Sequence, residues 1–258
     1  MKVYVRNLVK YKDLLLELIK NDIKLKYKNS YLGVLWSLIN PLLMMLVLTV
    51  VFQELFKKSI PNFPVYVLTG RIIYSFFSES TNFALDSIRT NGALIRKVYV
   101  PKYFFPVSRV CSSFVTNFIS IITIFVVMLM TGMKIGWSSV LIVVPLLLLL
   151  ITSAGIGLIL SAVNVFFRDI KHLYGVILTL IMYTTPIFYP AEIIPDKYLR
   201  IIEWNPLFPV LRMFRDVVMN NQLPQFTDLL VAGIESVVFL AVGLLVFYKT
   251  QDRFILHL

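Results

Sequence analysis

The 258-residue sequence holds one cysteine, Cys111, and two histidines, His172 and His257. A lone cysteine excludes an intrachain disulfide and a thiolate zinc site, and the histidines stand in no HExxH-type spacing. None of the ten glycines is followed by lysine, so there is no phosphate-cradling P-loop, and no GxSxG elbow occurs. The chain therefore has no means of hydrolysing ATP as a P-loop ATPase does, and any energy for its work comes from elsewhere. Acidic residues are also scarce: 14 Asp and Glu stand against 25 Lys and Arg, a net charge of +11. No signal peptide is expected, because about 30 charged and amphipathic residues precede the first apolar run, too many for an n-region.

Apolar residues are abundant. They make up 58% of the chain, with a mean hydropathy of +0.81, above the roughly 45–50% of soluble domains. They gather into runs of about 20 residues, the length that crosses a bilayer. The basic excess then reads as cytoplasmic loop charge rather than as a nucleic-acid footprint, so no nucleic-acid partner is expected.

Six spans are expected, at about Val34–Phe56, Val65–Ile88, Val107–Met130, Val140–Val163, Leu173–Tyr189 and Leu229–Tyr248. Asn40-Pro41 should kink the first. Before them, Val5, Leu8, Val9, Leu15, Leu16, Ile19 and Ile23 recur at helical spacing with Lys10, Lys20, Lys24 and Lys28 at other angles. That pattern predicts an amphipathic helix in the membrane interface. The expected fold is thus an all-α membrane protein: an interface arm over residues 1–33 and a six-span domain over 34–258. Between spans five and six, Ile193–Trp204 and Leu207–Met219 are too short and charged to cross, and read as external interfacial or re-entrant helices. Sixteen Lys and Arg fall in the arm, the Arg89–Lys102 loop, the FFRDIKH loop and the tail, against seven in the opposite loops. Both termini are therefore expected in the cytoplasm.

Charges inside spans are costly and mark functional candidates. Arg71 and Glu79 in the second span and Glu235 in the sixth are such residues. Arg71 and Glu79 are eight residues apart, about 12 Å along a helix, too far to pair. Arg71 either pairs with Glu235 or the two line wet cavities separately. Ser153, Gly157 and Ser161 make a small-residue stripe for close helix approach. Tyr74, Phe77 and Tyr183 belong to a dense aromatic set that suits either ordinary packing or a sugar-tolerant path. In the loop after the second span, Leu94, Ile95, Val98 and Val100 interleave with Arg96, Lys97 and Lys102, which suggests docking to a cytoplasmic partner or to anionic lipid.

Five segments, KNDIKLKYKNSYLGVLWSLINPLL, LIRKVYVPKYFFPVS, FFRDIKHL, PIFYP and NPLFPVLRMFRD, occur in this order. Together they resemble the membrane permeases of ABC exporters for O-antigen, capsular polysaccharide and teichoic acid, over essentially the whole chain. The resemblance implies a non-enzymatic transport permease in the plasma (cell inner) membrane, working as a homodimer with two ATPase subunits. ATP and magnesium would sit on that partner, and this chain would carry no cofactor. It implies a lipid-linked glycan or polyol-phosphate polymer as substrate. By the same resemblance, Ala93 to Tyr103, with Ala93, Leu94, Ile95, Arg96, Lys97, Val98, Tyr99 and Lys102, would form the helix that docks the ATPase. The arm, with Lys20, Lys24, Lys28, Tyr31 and Trp36, would gate entry of the lipid-linked end. Other readings of the residues are a permease of the same plan for a drug or lipid, an ion-coupled secondary transporter, and a membrane-embedded transferase. The last lacks a cluster of polar catalytic groups at one membrane face, since Glu79 and Asp86 stand nearly alone.

Overall fold

The computed structural model describes residues 10–56, 60–97, 100–195, 197–198, 202 and 204–257. Val5, Leu8 and Val9 of the arm, Lys57, Lys58 and Arg200 of the outer loops, and Val98 and Tyr99 of the docking loop lie outside them. Among the described residues every regular element is helical. In chain order these are α1 (Lys12–Lys26), α2 (Trp36–Phe56), α3 (Phe63–Leu85), α4 (Gly92–Lys97), α5 (Phe104–Met130), α6 (Val143–Phe166), α7 (Ile170–Thr184), α8 (Leu207–Val218) and α9 (Phe226–Thr250). Short turns of helix at Gly33–Leu35, Ser87–Thr90, Trp137–Ile142 and Phe254–His257 extend or link them.

Among the described residues, four helical stretches are long and apolar enough to cross a membrane: Gly33–Leu55, Phe104–Met130, Trp137–Phe166 and Phe226–His257. Helix α3 has the length, with 23 residues, but carries Arg71 and Glu79. Helix α7 has 15 residues and ends before the Tyr189 expected from hydropathy. The cause is local. Pro186 disfavours the helical conformation of the residue before it, and Thr185 is extended at φ −86°, ψ 129°. Pro41 by contrast lies inside α2 without ending it. The chain enters α2 through two left-handed positions, Asn29 at φ 62° and Gly33 at φ 48°, the two residue types that tolerate such backbone best.

Helices α3, α5 and α6 form the centre, with α9 laid along α6. The main core gathers Leu68, Ile72, Phe76 and Phe77 of α3, Ile124 and Met128 of α5, Leu149 of α6, and Leu211 and Phe214 of α8. A second core at the other end joins Ile88, Ile95, Phe104, Phe105, Leu158, Phe247 and Phe254. Helix α8 covers the short piece expected at Leu207–Met219 to within one residue and buries one whole face. Its Arg215 guanidinium lies 3.4 Å from the centre of the Tyr66 ring and donates to the carbonyls of Tyr66 and Ile187 at 3.3 and 3.2 Å. Burial pushes the Arg215 pKa down to about 10, still charged at neutral pH. Arg212 pairs with Asp228 at the start of α9 at 2.8 Å. The expected piece Ile193–Trp204 falls partly outside the described residues.

The tightest helix contact uses two glycines, Gly155 and Gly243, that lie outside the stripe of Ser153, Gly157 and Ser161. A Cβ on Gly155 would lie 2.4 Å from the Phe239 carbonyl carbon, and one on Gly243 would lie 2.4 Å from the Gly155 oxygen. No side-chain layer separates α6 from α9 there. Gly157 serves the other side of α6, where a Cβ would meet the Ala84 methyl at 2.8 Å. Gly175 on α7 has nothing within 4 Å. Gly155→Ala should therefore destabilise the purified protein by about 1–3 kcal/mol through overpacking, while Gly175→Ala should be neutral or slightly stabilising. Thermal unfolding in detergent compares the two, and equal behaviour would contradict the contact.

Candidate functional site

The arm is fixed to the bundle by charges that sequence reading passed over. Asp22 on α1 is buried and pairs with Arg109 of α5 at 3.1 Å. The Arg109 guanidinium also stacks on Phe83 of α3, 4.0 Å from the ring centre. Burial pushes the Asp22 carboxyl above the usual carboxylate range, while Arg109 and Ser108 pull it back down. One turn further, Lys26 forms an ion pair with Glu79 of α3 and lies 3.5 Å from the Thr116 hydroxyl of α5. Tyr11, Leu15 and Leu18 pack against the second core. Helix α1 is thus seated on α5 and α3 through one face, on which Tyr11, Leu15, Leu18, Asp22 and Lys26 recur every three or four residues. The available signal was Asp22, the single acid among Lys20, Lys24, Lys26 and Lys28, and Arg109, the single charge of its span.

Two cavities meet at the Lys26–Glu79 pair. The inner one, about 310 Å³, is walled by Lys26, Tyr27, Trp36, Ser37, Asn40, Pro41, Arg71, Ser75, Ser78, Glu79, Thr116, Asn117 and Ser120. The outer one, about 540 Å³, is walled by Asp22, Leu25, Lys26, Glu79, Asn82, Phe83, Asp86, Arg109 and Lys171. A third, about 430 Å³, continues past Asp86 and Lys171 to Arg89, Thr90, Arg168 and His257. Asp86 caps α3 and ties it to α6 and α7, accepting from Lys171 at 2.5 Å and from Asn164 at 3.2 Å. The result is a row of polar cavities along one end of α3, with an ion pair at each junction. Among the described residues, no three His, Cys, Asp or Glu side chains are grouped to hold a metal.

The sequence candidates separate on this map. Arg71 and Glu79 share the inner cavity, with Trp36 at its rim. The Arg71–Glu235 pairing does not form. Arg71 faces the α1–α2–α5 side and, among the described residues, has only the Tyr74 ring, 5.9 Å away. Glu235 sits on α9, its Oε2 buried without a hydrogen-bond partner. Both helices pack on α6 and α8, and α9 lies mainly on α6 rather than on α3. Phe77 and Tyr74 are also corrected as path-lining residues. Phe77 is a core side chain, and Tyr74 is buried with its hydroxyl donating to the Leu178 carbonyl at 3.0 Å. Tyr183 is exposed on α7. Lys20, Lys24, Lys28 and Tyr31 are exposed on or just after the arm.

In the expected docking loop, α4 covers Gly92–Lys97. Ile95 is buried in the second core as its anchor, and Ala93, Leu94, Arg96 and Lys97 are exposed. Lys102 is not a free cation. Its ammonium donates to the Gln251 carbonyl at 2.6 Å and lies 5.9 Å from the Phe254 ring, so it binds the loop to the C-terminal turn.

The two arm contacts differ in depth, and so in expected weight. Asp22→Ala leaves Arg109 uncompensated and should cost about 3–5 kcal/mol of arm docking. Lys26→Gln removes a pair that is more than a third exposed and should cost no more than about 1 kcal/mol. Hydrogen exchange across 12–26 reads the difference: large loss of protection in the first variant, little in the second. The reverse order would contradict the assignment.

Comparison with known proteins bears on the whole of this arrangement. The chain is 32% identical to the O-antigen export system permease protein RfbA of Myxococcus xanthus over 256 residues, 97% of each chain. It is 32% identical to RfbA of Klebsiella pneumoniae, covering 94% of this chain and 93% of that one. The polysialic acid transport protein KpsM of Escherichia coli is 26% identical over 90% of this chain and 91% of its own. The pattern of the ABC-2 type transporter family, matched across residues 13–219, takes in nearly all of α1, the inner and outer cavities, the α4 loop and α8. This chain is a member of the ABC-2 type transporter membrane family.

Proposed function

We propose that this chain is the permease subunit of an ATP-driven exporter that carries a lipid-linked polysaccharide, or a teichoic-acid-type polymer, from the cytoplasm across the plasma membrane. The reading is carried by near end-to-end similarity to permeases named for O-antigen export. Helices α3 and α7 join the four apolar stretches as spans, giving six in a domain over 34–258 with residues 1–33 as the interface arm. The excess of Lys and Arg in the arm, the Arg89–Lys102 loop and the tail supports cytoplasmic placement of both termini. External pieces around α8 then face outward.

Two copies would form the pathway between them, with Arg71, Glu79, Glu235 and Tyr183 as the polar and aromatic groups nearest to it. The chain lacks a P-loop, so ATP and magnesium belong to a separate ATPase subunit. Helix α4 offers Ala93, Leu94, Arg96 and Lys97 to that subunit, with Ile95 as the buried root. ATP-driven closure of the partner would displace α4, and rigid helices would pass the shift on as a two-state change. The arm lies where a lipid-linked head would enter, and Lys24 and Lys28 would meet its phosphate groups.

The test is genetic and chemical. Cells without the chain should lose surface polymer and accumulate lipid-linked glycan on the cytoplasmic side. Unchanged surface polymer would overturn the reading. Arg96→Glu with Lys97→Glu should weaken association with the ATPase subunit at least tenfold in co-purification, and undiminished recovery would remove α4 as the docking element. Neutralising Lys24 and Lys28 should impair export while membrane insertion stays normal; export at the unmodified level would remove their role.

A further inference from the structure

We propose that the inner cavity between α1, α2, α3 and α5 is a phosphoanion site, with Arg71 as its fixed cation and Lys26 as a second cation that can exchange Glu79 for the ligand. The inference rests on the export reading for its ligand class, a phosphate ester or diphosphate carried on a lipid, and deepens it by naming the receiving groups. Arg71 points into the cavity from the middle of α3. Among the described residues it has no carboxylate and no hydrogen-bond acceptor, only an aromatic face at 5.9 Å. A guanidinium so placed within the hydrocarbon zone is costly unless an anion or water meets it. Its planar fork suits phosphate oxygens better than a sugar hydroxyl.

The cavity supplies a second charge. Lys26 stands at its mouth, about 12 Å along α3 from the level of Arg71, paired with Glu79. Arg71, Lys26 and Glu79 leave one positive charge uncompensated. An incoming phosphoanion balances it and competes for Lys26, while Glu79, with 39% of its side chain exposed, can return to water. The wall hydroxyls of Ser78, Thr116 and Ser120 already donate to the carbonyls of Ser75, Ser113 and Ser37. Recognition therefore falls to charge, with the Asn40 amide and the Ser75 hydroxyl among the lining groups that have no hydrogen-bond partner among the described residues. Trp36 lines the same cavity and gives it an optical reporter.

The experiment uses the full chain in phosphatidylcholine nanodiscs, with Trp36 emission as readout and Trp36→Phe to identify the signal. The probes are inorganic pyrophosphate, decaprenyl diphosphate and added phosphatidylglycerol. Arg71→Gln should weaken pyrophosphate and decaprenyl diphosphate binding at least tenfold, and Arg71→Lys should retain part of it. Asn40→Asp, which adds a carboxylate to the wall and keeps Arg71, should also weaken binding several-fold; it serves if Arg71→Gln fails to fold. Binding by the diphosphates but not by phosphatidylglycerol assigns the site to the substrate carrier. Equal competition by phosphatidylglycerol assigns it to membrane lipid phosphate, and both support a phosphoanion site. Wild-type affinity in Arg71→Gln and Asn40→Asp, or no response to any probe, overturns it. Because polymer display is measured separately, loss of the export reading with a preserved Arg71 effect is a distinguishable result, and it supports the site.

Discussion

The buried pair between Asp22 and Arg109 sets the position of nearly everything at the functional end of this chain. A carboxylate and a guanidinium taken out of water need one another, and Phe83 fixes the plane in which they meet. That contact lays α1 across α5 and brings Lys26 to Glu79. The pair itself walls the outer cavity, and Lys26 and Tyr27, just beyond it in the arm, wall the inner one. Without it the arm would be an amphipathic helix held by lipid alone, and Arg71 would face an open groove. The same charge economy governs Asp86, which joins three helices through Lys171, Asn164 and its own capping position.

Most helices were legible because their causes are local. Apolar runs of span length, with Pro101, Pro106, Gly132 and Gly136 between them, placed α2, α5, α6 and α9 to within a few residues. Helix α7 was placed too far along, because hydropathy continues to Tyr189 while the backbone rule at Thr185-Pro186 does not. Helix α8 was legible as a short non-spanning piece from its length and charge, yet its seat was not. The stacking of Arg215 on Tyr66 joins residues 149 apart in sequence, which no window of hydropathy reveals.

Of the site, its types were readable and its pairings were not. Arg71 and Glu79 stood out as charges in a span, and both line the inner cavity. Of the two alternatives for Arg71 and Glu235, pairing fails because helix adjacency, not depth, decides who meets whom: α9 lies on α6, away from the cavity. Lys102 counted as a docking cation by its basic surroundings, but its ammonium is taken up by Gln251. Asp22 and Arg109 each looked minor alone. Their meaning appears only when α1 is folded onto α5.

The glycine contact between α6 and α9 has a mechanical consequence. Helices slide past one another on a layer of side chains, and at Gly155 and Gly243 that layer is missing. Relative travel of the two is blocked, so they count as one moving part. The C-terminal turn continues from α9, and Gln251 holds Lys102 just beyond α4. A push on that loop is thus delivered to a double-thickness beam running the length of α6, rather than being absorbed by a single flexible rod.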